Sequence, residues 1–529
     1  MKKIIALILV LMMFTCTATG CVITELFKKS DKDTIEVPVE NETEKDEDKN
    51  SINNGNNRNN ENNVNNSNGN ANSGSDSDAT NTPYVPKVES SMGLKFTLDA
   101  DGKGYALTGI GTCTEANIVI DGHNDLPVTS IGNSAFSGYN ANNDGRNIKS
   151  VMIADGVKTI GDRAFTNLKS LTQVSIGNGV ESIGAYAFNS CPALAKVLIG
   201  NNVKTIGESA FQYCDSLTNV IIGDSVKTIG TYAFNGCIAL SDLTLGNSIE
   251  TIGRCAFAGC HSLTTLTLPN TVKIIDNEAF CDCDNLKSIN LGENVTTIGN
   301  GAFRQSEKLA DIKMGENVTS IYSTAFYETA FYNNASNWKN GALYLSNCLI
   351  ATNDSISPKY TVKDGTKAIA TYAFAYDGFL RVEGNKIVTE VTICDSVKVI
   401  CMSAFENCTN LKNVKIGNGV ESIEKWAFAG CTSLASIVIP DSVVTIGDEA
   451  FFVCYDLENV VIGKNVKTIG KGAFSHGLTS LEFKNTNGWW CAQKADATAG
   501  INISSAELAD KSTAASCMNT YAYYYWNLN

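Results

Sequence analysis

Hydrophobic positions from about residue 128 to residue 484 recur with a period longer than that of any single helix or strand. Residues 180–199 give Val180, Ile183, Gly184, Ala187, Phe188, Cys191, Leu194, Val197 and Ile199. Residues 203–222 repeat them as Val203, Ile206, Gly207, Ala210, Phe211, Cys214, Leu217, Val220 and Ile222. The Ala-Phe pair marks fourteen copies of the repeat, at Phe136, Phe165, Phe188, Phe211, Phe234, Phe257, Phe280, Phe303, Phe326, Phe374, Phe405, Phe428, Phe451 and Phe474. From Phe165 to Phe326, and again from Phe405 to Phe474, a 23-residue step is kept without exception. A fixed period of about 20–29 residues marks a solenoid, in which each unit buries its apolar side only by stacking on its neighbours. Length therefore measures the number of coils on one core and not the number of domains.

Each unit reads as three pieces. Leu-x-x-Val-x-Ile predicts a short strand whose Val and Ile point inward by period-two alternation. The Gly that follows, as at Gly177, Gly200 and Gly223, suits a tight turn. Val-x-x-Ile-Gly is expected to cross the edge of the coil. Ala-Phe-x-x-Cys-x-x-Leu has the three-residue spacing of a short helical or 3₁₀ turn on the outer side. Fourteen of the 21 Phe occupy one repeat position, so most of the aromatic content belongs to the core and not to a ligand surface.

This motif resembles the BspA-like leucine-rich-repeat family of bacterial surface proteins, with 23-residue units of the Val-x-x-Ile-Gly-x-x-Ala-Phe type. The resemblance covers about residues 116–484. It implies a leucine-rich-repeat solenoid of short parallel strands and short helical or 3₁₀ turns. For several members it also implies adhesion to host or neighbouring-cell proteins. It implies no catalytic residue, because every residue of the motif is structural.

The period breaks twice. The interval from Phe326 to Phe374 exceeds two full periods by two positions, and Tyr332 to Thr361 reads as a hairpin-like excursion within an insertion at about 327–373. The second break is Asp377 to Lys386, which delays the next Ala-Phe, at Phe405, by eight positions. Leu94 to Asp121 alternates like strands, so residues 91–127 are expected to cap the first coil. Residues 485–529, with Trp489, Trp490, Tyr521, Tyr523, Tyr524, Tyr525 and Trp526, are expected to cap the last coil of a solenoid spanning 128–484.

The N-terminal region differs in kind. Lys2 and Lys3 precede an apolar run from Ile4 to Phe14 and small residues up to Gly20, the layout of a secretory signal peptide over residues 1–20. Eleven apolar residues are too few to span a bilayer as a helix. Ala18-Thr19-Gly20-Cys21 resembles the bacterial lipobox, with Ala18 where Leu is usual, and makes Cys21 the candidate lipidated residue. An ordinary cleavage after Gly20, releasing a soluble protein, is the alternative. Within residues 21–90, fourteen positions between Asn50 and Asn72 inclusive are Asn, and acids cluster from Glu40 to Asp48. Such a segment has nothing to bury against its ordering entropy and reads as a disordered tether.

Lys and Arg number 41 against 55 Asp and Glu, a net charge of −14, which argues against a nucleic-acid partner or an anionic membrane surface. Membrane contact is expected only through the N-terminal lipid. The three His are His123, His261 and His476, too few for a His-rich centre. Eight of the 18 Cys, at 191, 214, 237, 260, 283, 408, 431 and 454, sit three residues after the repeated Phe. Their side chains point the same way into the core, so they read as free buried thiols at a position that asks for something small or apolar. Cys281-x-Cys283 and Cys260-His261 look like metal-ligand fragments, but Cys260 and Cys283 belong to that column, so no metal is expected. Cys491 and Cys517 are the better candidates for a disulfide. No zinc-protease, serine-hydrolase or phosphate-loop motif is present, and neither a cofactor nor catalysis is expected.

What remains is surface. The outward positions of successive strands are Gln173/Ser175, Lys196/Leu198, Asn219/Ile221, Asp242/Thr244, Thr265/Thr267, Ser288/Asn290, Asp311/Lys313, Asn413/Lys415, Ser436/Val438 and Asn459/Val461. They vary while the core does not, and they are expected to form one continuous polar sheet with a few apolar spots. The reading is an exported, lipid-anchored monomer that recognises an extracellular protein through this face. A passive spacer or surface-coat protein is the alternative, and a secreted hydrolase ranks below both.

Overall fold

A computed structural model describes residues 87–137, 147–378, 381–474 and 477–528. The coil is best seen in its middle. Lys196–Ile199 is a strand in which Val197 and Ile199 are buried and Lys196 and Leu198 exposed, as a pleat with one face on a core requires. It pairs in parallel with Gln173–Ile176 on one side and Asn219–Ile222 on the other, so equivalent residues of consecutive coils lie side by side.

The Val-x-x-Ile-Gly segment does more than cross an edge. Thr205–Ile206 is a second, two-residue strand, parallel to Ser182–Ile183 and Thr228–Ile229, with Ile inward and Thr outward. These short strands build a 12-stranded sheet from Lys95–Leu98 to Ser320–Ile321, and an 11-stranded one that begins at Trp338–Lys339.

The third side holds the Ala-Phe segment, and here β-turns replace the expected helical turn. Ala164 N–H donates to the Gly161 carbonyl (3.3 Å) within its own coil, whereas Arg163, Phe165 and Asn167 donate to Ala185, Ala187 and Asn189 of the next coil (2.8, 2.7 and 2.8 Å). Alternate amides thus point along the stack. That alternation needs left-handed backbone on both sides of the Phe. Arg163 (φ 56°), Asn167 (φ 62°), Tyr186 (φ 58°) and Ser190 (φ 57°) supply it. Among the described Ala-Phe turns only Ser323–Phe326 is a 3₁₀ helix.

Inside the coils the Phe rings stack. From Phe136 to Phe326, neighbouring centroids lie 4.9–5.5 Å apart with planes within 13° of parallel. A second stack runs from Phe374 to Phe474 at 4.3–5.2 Å. Separations this much longer than a face-to-face contact mean offset rings, the arrangement that π quadrupoles favour. Each buried Phe contributes about 1.5–3 kcal/mol through the apolar area it removes from water.

Between the two stacks, Trp338–Lys339, Ala342–Leu345 and Cys348–Thr352 form an antiparallel meander. The chain then rejoins the solenoid. Thr371 N–H donates to Ile321 (2.8 Å) and its carbonyl accepts from Ser323 (2.9 Å), so the next coil docks directly on the last one before the insertion. The second break in the period is an antiparallel hairpin of Ala375–Gly378 with Arg381–Gly384.

At one end, Lys95–Leu98 pairs antiparallel with Tyr105–Gly109, which lies parallel to Leu126–Ile131. At the other, Trp526 and Asn527 pair antiparallel with Ile469 and Thr468, and the helices Ser505–Ala509 and Lys511–Thr520 follow the Trp489–Ala492 strand. Trp489 and Trp526 are buried there. No described helix is long and apolar enough to cross a membrane.

Candidate functional site

The outward side chains of the long strands lie on one side of the coils. Gln173, Lys196, Asn219 and Asp242 form one row across four paired strands, and Ser175, Leu198, Ile221 and Thr244 form the adjacent row. Thr265, Ser288 and Asp311 align in the next sheet, as do Thr267, Asn290 and Lys313. Asn413 and Lys415 align with Glu390 and Thr392. Ser436 and Val438 align with Asn459 and Val461. All twenty are exposed or half-buried. Cys21 lies outside the described residues.

The sheet they form is not continuous. Among the described residues the long strands divide into one hydrogen-bonded sheet of 6 and three of 3. One break is the insertion. The other two precede the coils in which Pro269 and Pro440 stand at the turn after the strand. Gly177, at the same position in its coil, donates its N–H to Ile153 of the coil before (2.8 Å). Proline has no N–H to give. Across both breaks the short strands remain paired, Thr251 with Ile274 and Ile423 with Ile446.

In the six-stranded part the face dips into a groove of about 740 Å³ lined by Met152, Ser175, Leu198, Ile221 and Thr244. Met152 and Leu198 are 44% and 47% exposed, so the groove floor is apolar and open to solvent. Its rim is a row of turn residues tied to one another. Asp155 accepts from the Asn178 amide (2.7 Å) and Asp224 from the Asn247 amide (3.0 Å), which fixes the rim from coil to coil. A smaller groove of about 360 Å³ lies further along, with Val438 and Lys415 beside Asp441 and Lys484. The Lys484 ammonium, 3.0 Å away, and the Lys464 amide hold the Asp441 carboxyl below its usual range. Met152, Glu390 and Thr392 belong to the same rows. The irregular spacing around Phe136 and Phe374 hides their coils from a strict 23-residue reading.

The eight column cysteines are buried, and none is in a disulfide. Their position asks for more than small size, because each thiol donates to a Phe carbonyl of the preceding coil. Cys191 reaches Phe165 (3.2 Å), Cys214 reaches Phe188 (3.3 Å) and Cys431 reaches Phe405 (3.2 Å). Where Ser306 replaces Cys, its hydroxyl makes the same bond to Phe280 at 2.9 Å. Burial pushes the Cys191 and Cys237 thiols up to about 12. They therefore stay protonated and unreactive. Cys491 and Cys517, the better candidates for a bridge, are also free thiols here, and burial raises both. His123 packs against the rings of Phe96 and Tyr105 in the N-terminal strands, and His476 lies outside the described residues.

The family model for a BspA-type leucine-rich-repeat region of six copies matches residues 129–261, 204–333, 251–381 and 383–488, more than half of the chain. The chain belongs to the BspA-type leucine-rich-repeat family. No curated protein matches it. Among solved structures, it is similar to a leucine rich cell surface protein from Faecalibacterium prausnitzii A2-165, at 27% identity over 77% of this chain and 97% of that one (TM-score 0.35). A leucine-rich-repeat protein from Bacteroides ovatus ATCC 8483 is similar at 22% identity over 74% of this chain and 92% of that one (TM-score 0.37). One from Eubacterium ventriosum ATCC 27560 is similar at 18% identity over 74% and 94% (TM-score 0.32). In this BspA-type chain the repeat residues are scaffold, and the outward strand positions are where one coil differs chemically from the next.

Proposed function

We propose that the protein is a cell-surface recognition or adhesion module that binds an extracellular protein through the long-strand face. The observation that carries this reading is the open apolar floor of Met152, Leu198 and Ile221, ringed by polar groups. Apolar side chains gathered in one groove and rimmed by polar groups, rather than scattered singly, are the kind of exposed surface that a partner covers. A polar rim around an apolar centre is also the usual anatomy of a protein interface. A monomer presents the whole face to that partner. Residues 1–20 direct export and Cys21 carries the lipid, with residues up to 90 as tether, solenoid coils from 128 to 484, and caps on either side.

Two experiments test this. Purified chain is titrated against extracellular protein preparations from host and bacterial cells, alongside Leu198→Glu and a Lys204→Glu control on the short-strand side. Saturable binding that Leu198→Glu weakens about tenfold or more, and the control leaves intact, is expected for a substitution at the centre of an interface. No saturable binding in any preparation would favour the passive spacer. For the anchor, fatty-acid labelling in cells should mark the wild type and spare Cys21→Ala; equal labelling overturns it.

A further inference from the structure

The turn side of the solenoid brings together three ligating side chains that look unrelated in the sequence. His261 and Asp284 each stand four residues after a repeated Phe, so the 23-residue period stacks them in one column, with Glu307 next. Asp282 precedes Asp284 by two residues, in the left-handed position of its turn (φ 60°), where its amide is tied to the Arg304 carbonyl (2.8 Å). One ligating atom from each of His261, Asp282 and Asp284 lies within 4.8 Å of the other two.

Two of these atoms are as close as ligands that share an ion. His261 Nδ1 is 3.1 Å from Asp284 Oδ2. Yet it makes no hydrogen bond, although it is shut off from solvent. The two statements agree if the carboxylate oxygen lies off the line of a ring N–H, as it does when both atoms direct lone pairs toward a third centre. Adjacent ligands of an octahedral ion with bonds of about 2.1 Å stand roughly 3 Å apart, which matches this contact.

The neighbouring sulfurs are not ligands. Cys260 and Cys283 point inward and donate to the carbonyls of Phe234 (3.4 Å) and Phe257 (3.3 Å). The scaffold is held from both coils, since Asn285 Nδ2 donates to the His261 carbonyl (2.6 Å) and Cys283 N–H to Ser306 Oγ (3.1 Å). We propose that His261, Asp282 and Asp284 form a divalent transition-metal site, for Zn²⁺ or Mn²⁺, that clamps two consecutive coils, with water completing the shell. One imidazole with two carboxylates suits these ions better than Ca²⁺, which takes oxygen alone, or Cu⁺, which prefers sulfur.

The test uses the full chain after chelator treatment. Free Mn²⁺ is followed by electron paramagnetic resonance during titration, which avoids the thiols, and Zn²⁺ is scored by its displacement of Mn²⁺. One Mn²⁺ per chain is expected, displaced by one Zn²⁺. His261→Gln and Asp284→Asn should each weaken it about tenfold or more, the scale on which metal sites respond to lost partners. Cys260→Ser should leave it unchanged. Unfolding of each variant, followed by circular dichroism, shows whether a loss is local. The proposal is overturned if the folded wild type binds no stoichiometric Mn²⁺ or Zn²⁺, if both ligand variants bind as the wild type does, or if Ca²⁺ competes equally with Mn²⁺.

Discussion

The long and short strands of each coil divide the work of the solenoid between them. The short strand is two residues, Thr-Ile or a close variant, repeated with little change, and its ladder runs unbroken past Pro269 and Pro440. The long strand is three or four residues, its outward positions change from coil to coil, and its ladder is already interrupted at Pro269, before the insertion is reached. Register is therefore held where chemistry is monotonous, and variety is carried where a lost hydrogen bond does little harm. A display surface can change residue by residue because another strand keeps the coils aligned.

Substitutions in the core, the thiol column and the gap probe that division, taken from the largest expected effect to the smallest. Phe234 has stacked rings on both sides at 5.2 and 5.3 Å. Phe234→Ala should cost about 3–5 kcal/mol in urea unfolding and open a protease-sensitive point mid-array, whereas Ile221→Ala on the face should stay within about 0.5–1 kcal/mol. Phe474→Ala, with a stacked neighbour on one side only, should cost less than Phe234→Ala and fray the C-terminal end. If the face substitution is the costlier one, the division of labour is wrong.

The thiol column comes next. Cys214→Ala leaves the Phe188 carbonyl without its donor. It should cost about 1–3 kcal/mol by the same unfolding measurement. Cys214→Ser should lose less than half of that, because Ser306 already fills this role at 2.9 Å. Equal losses would mean that the position is read by volume alone.

The smallest effect concerns the gap itself. Pro269→Gly restores an N–H at the break, so slowed amide exchange at that residue is expected as the two sheets join. Global stability should move by no more than about 1 kcal/mol, since the new hydrogen bond is offset by the flexibility glycine adds to the unfolded chain. Rapid exchange at residue 269 would show that proline is not what divides the sheet.

The coil is legible in the sequence because its signals are local. Val174 and Ile176 alternate as a strand must, and Phe at a 23-residue step has no other use than a core column. The second ladder is harder to see, because two residues such as Thr205-Ile206 show no periodicity; only their stacking makes them strands. The turn misleads in another way. Three-residue spacing is shared by a 3₁₀ helix and a β-turn, and residues such as Tyr186 and Trp426 give no sign of the left-handed backbone they adopt. On the face, the two rows can be written down from the sequence, but the groove depends on which turn residues rim it and the gaps on where proline falls. His261 and Asp284 stand a full coil apart in the sequence, so their meeting is a product of the period and not of any motif.

The constancy of the repeat step also has a genetic meaning. Because the backbone hydrogen bonds that leave one coil are the same as those that enter the next, any crossover between two coils that respects the step yields junctions already present elsewhere in the protein. Unequal recombination between copies would lengthen or shorten the array by whole coils, about 4.8 Å each, without passing through an unfolded intermediate product. Each event also cuts and rejoins the outward rows, bringing residues such as Leu198 or Lys313 beside new neighbours. The repeat is thus a device for shuffling a surface by the same operation that sets its length.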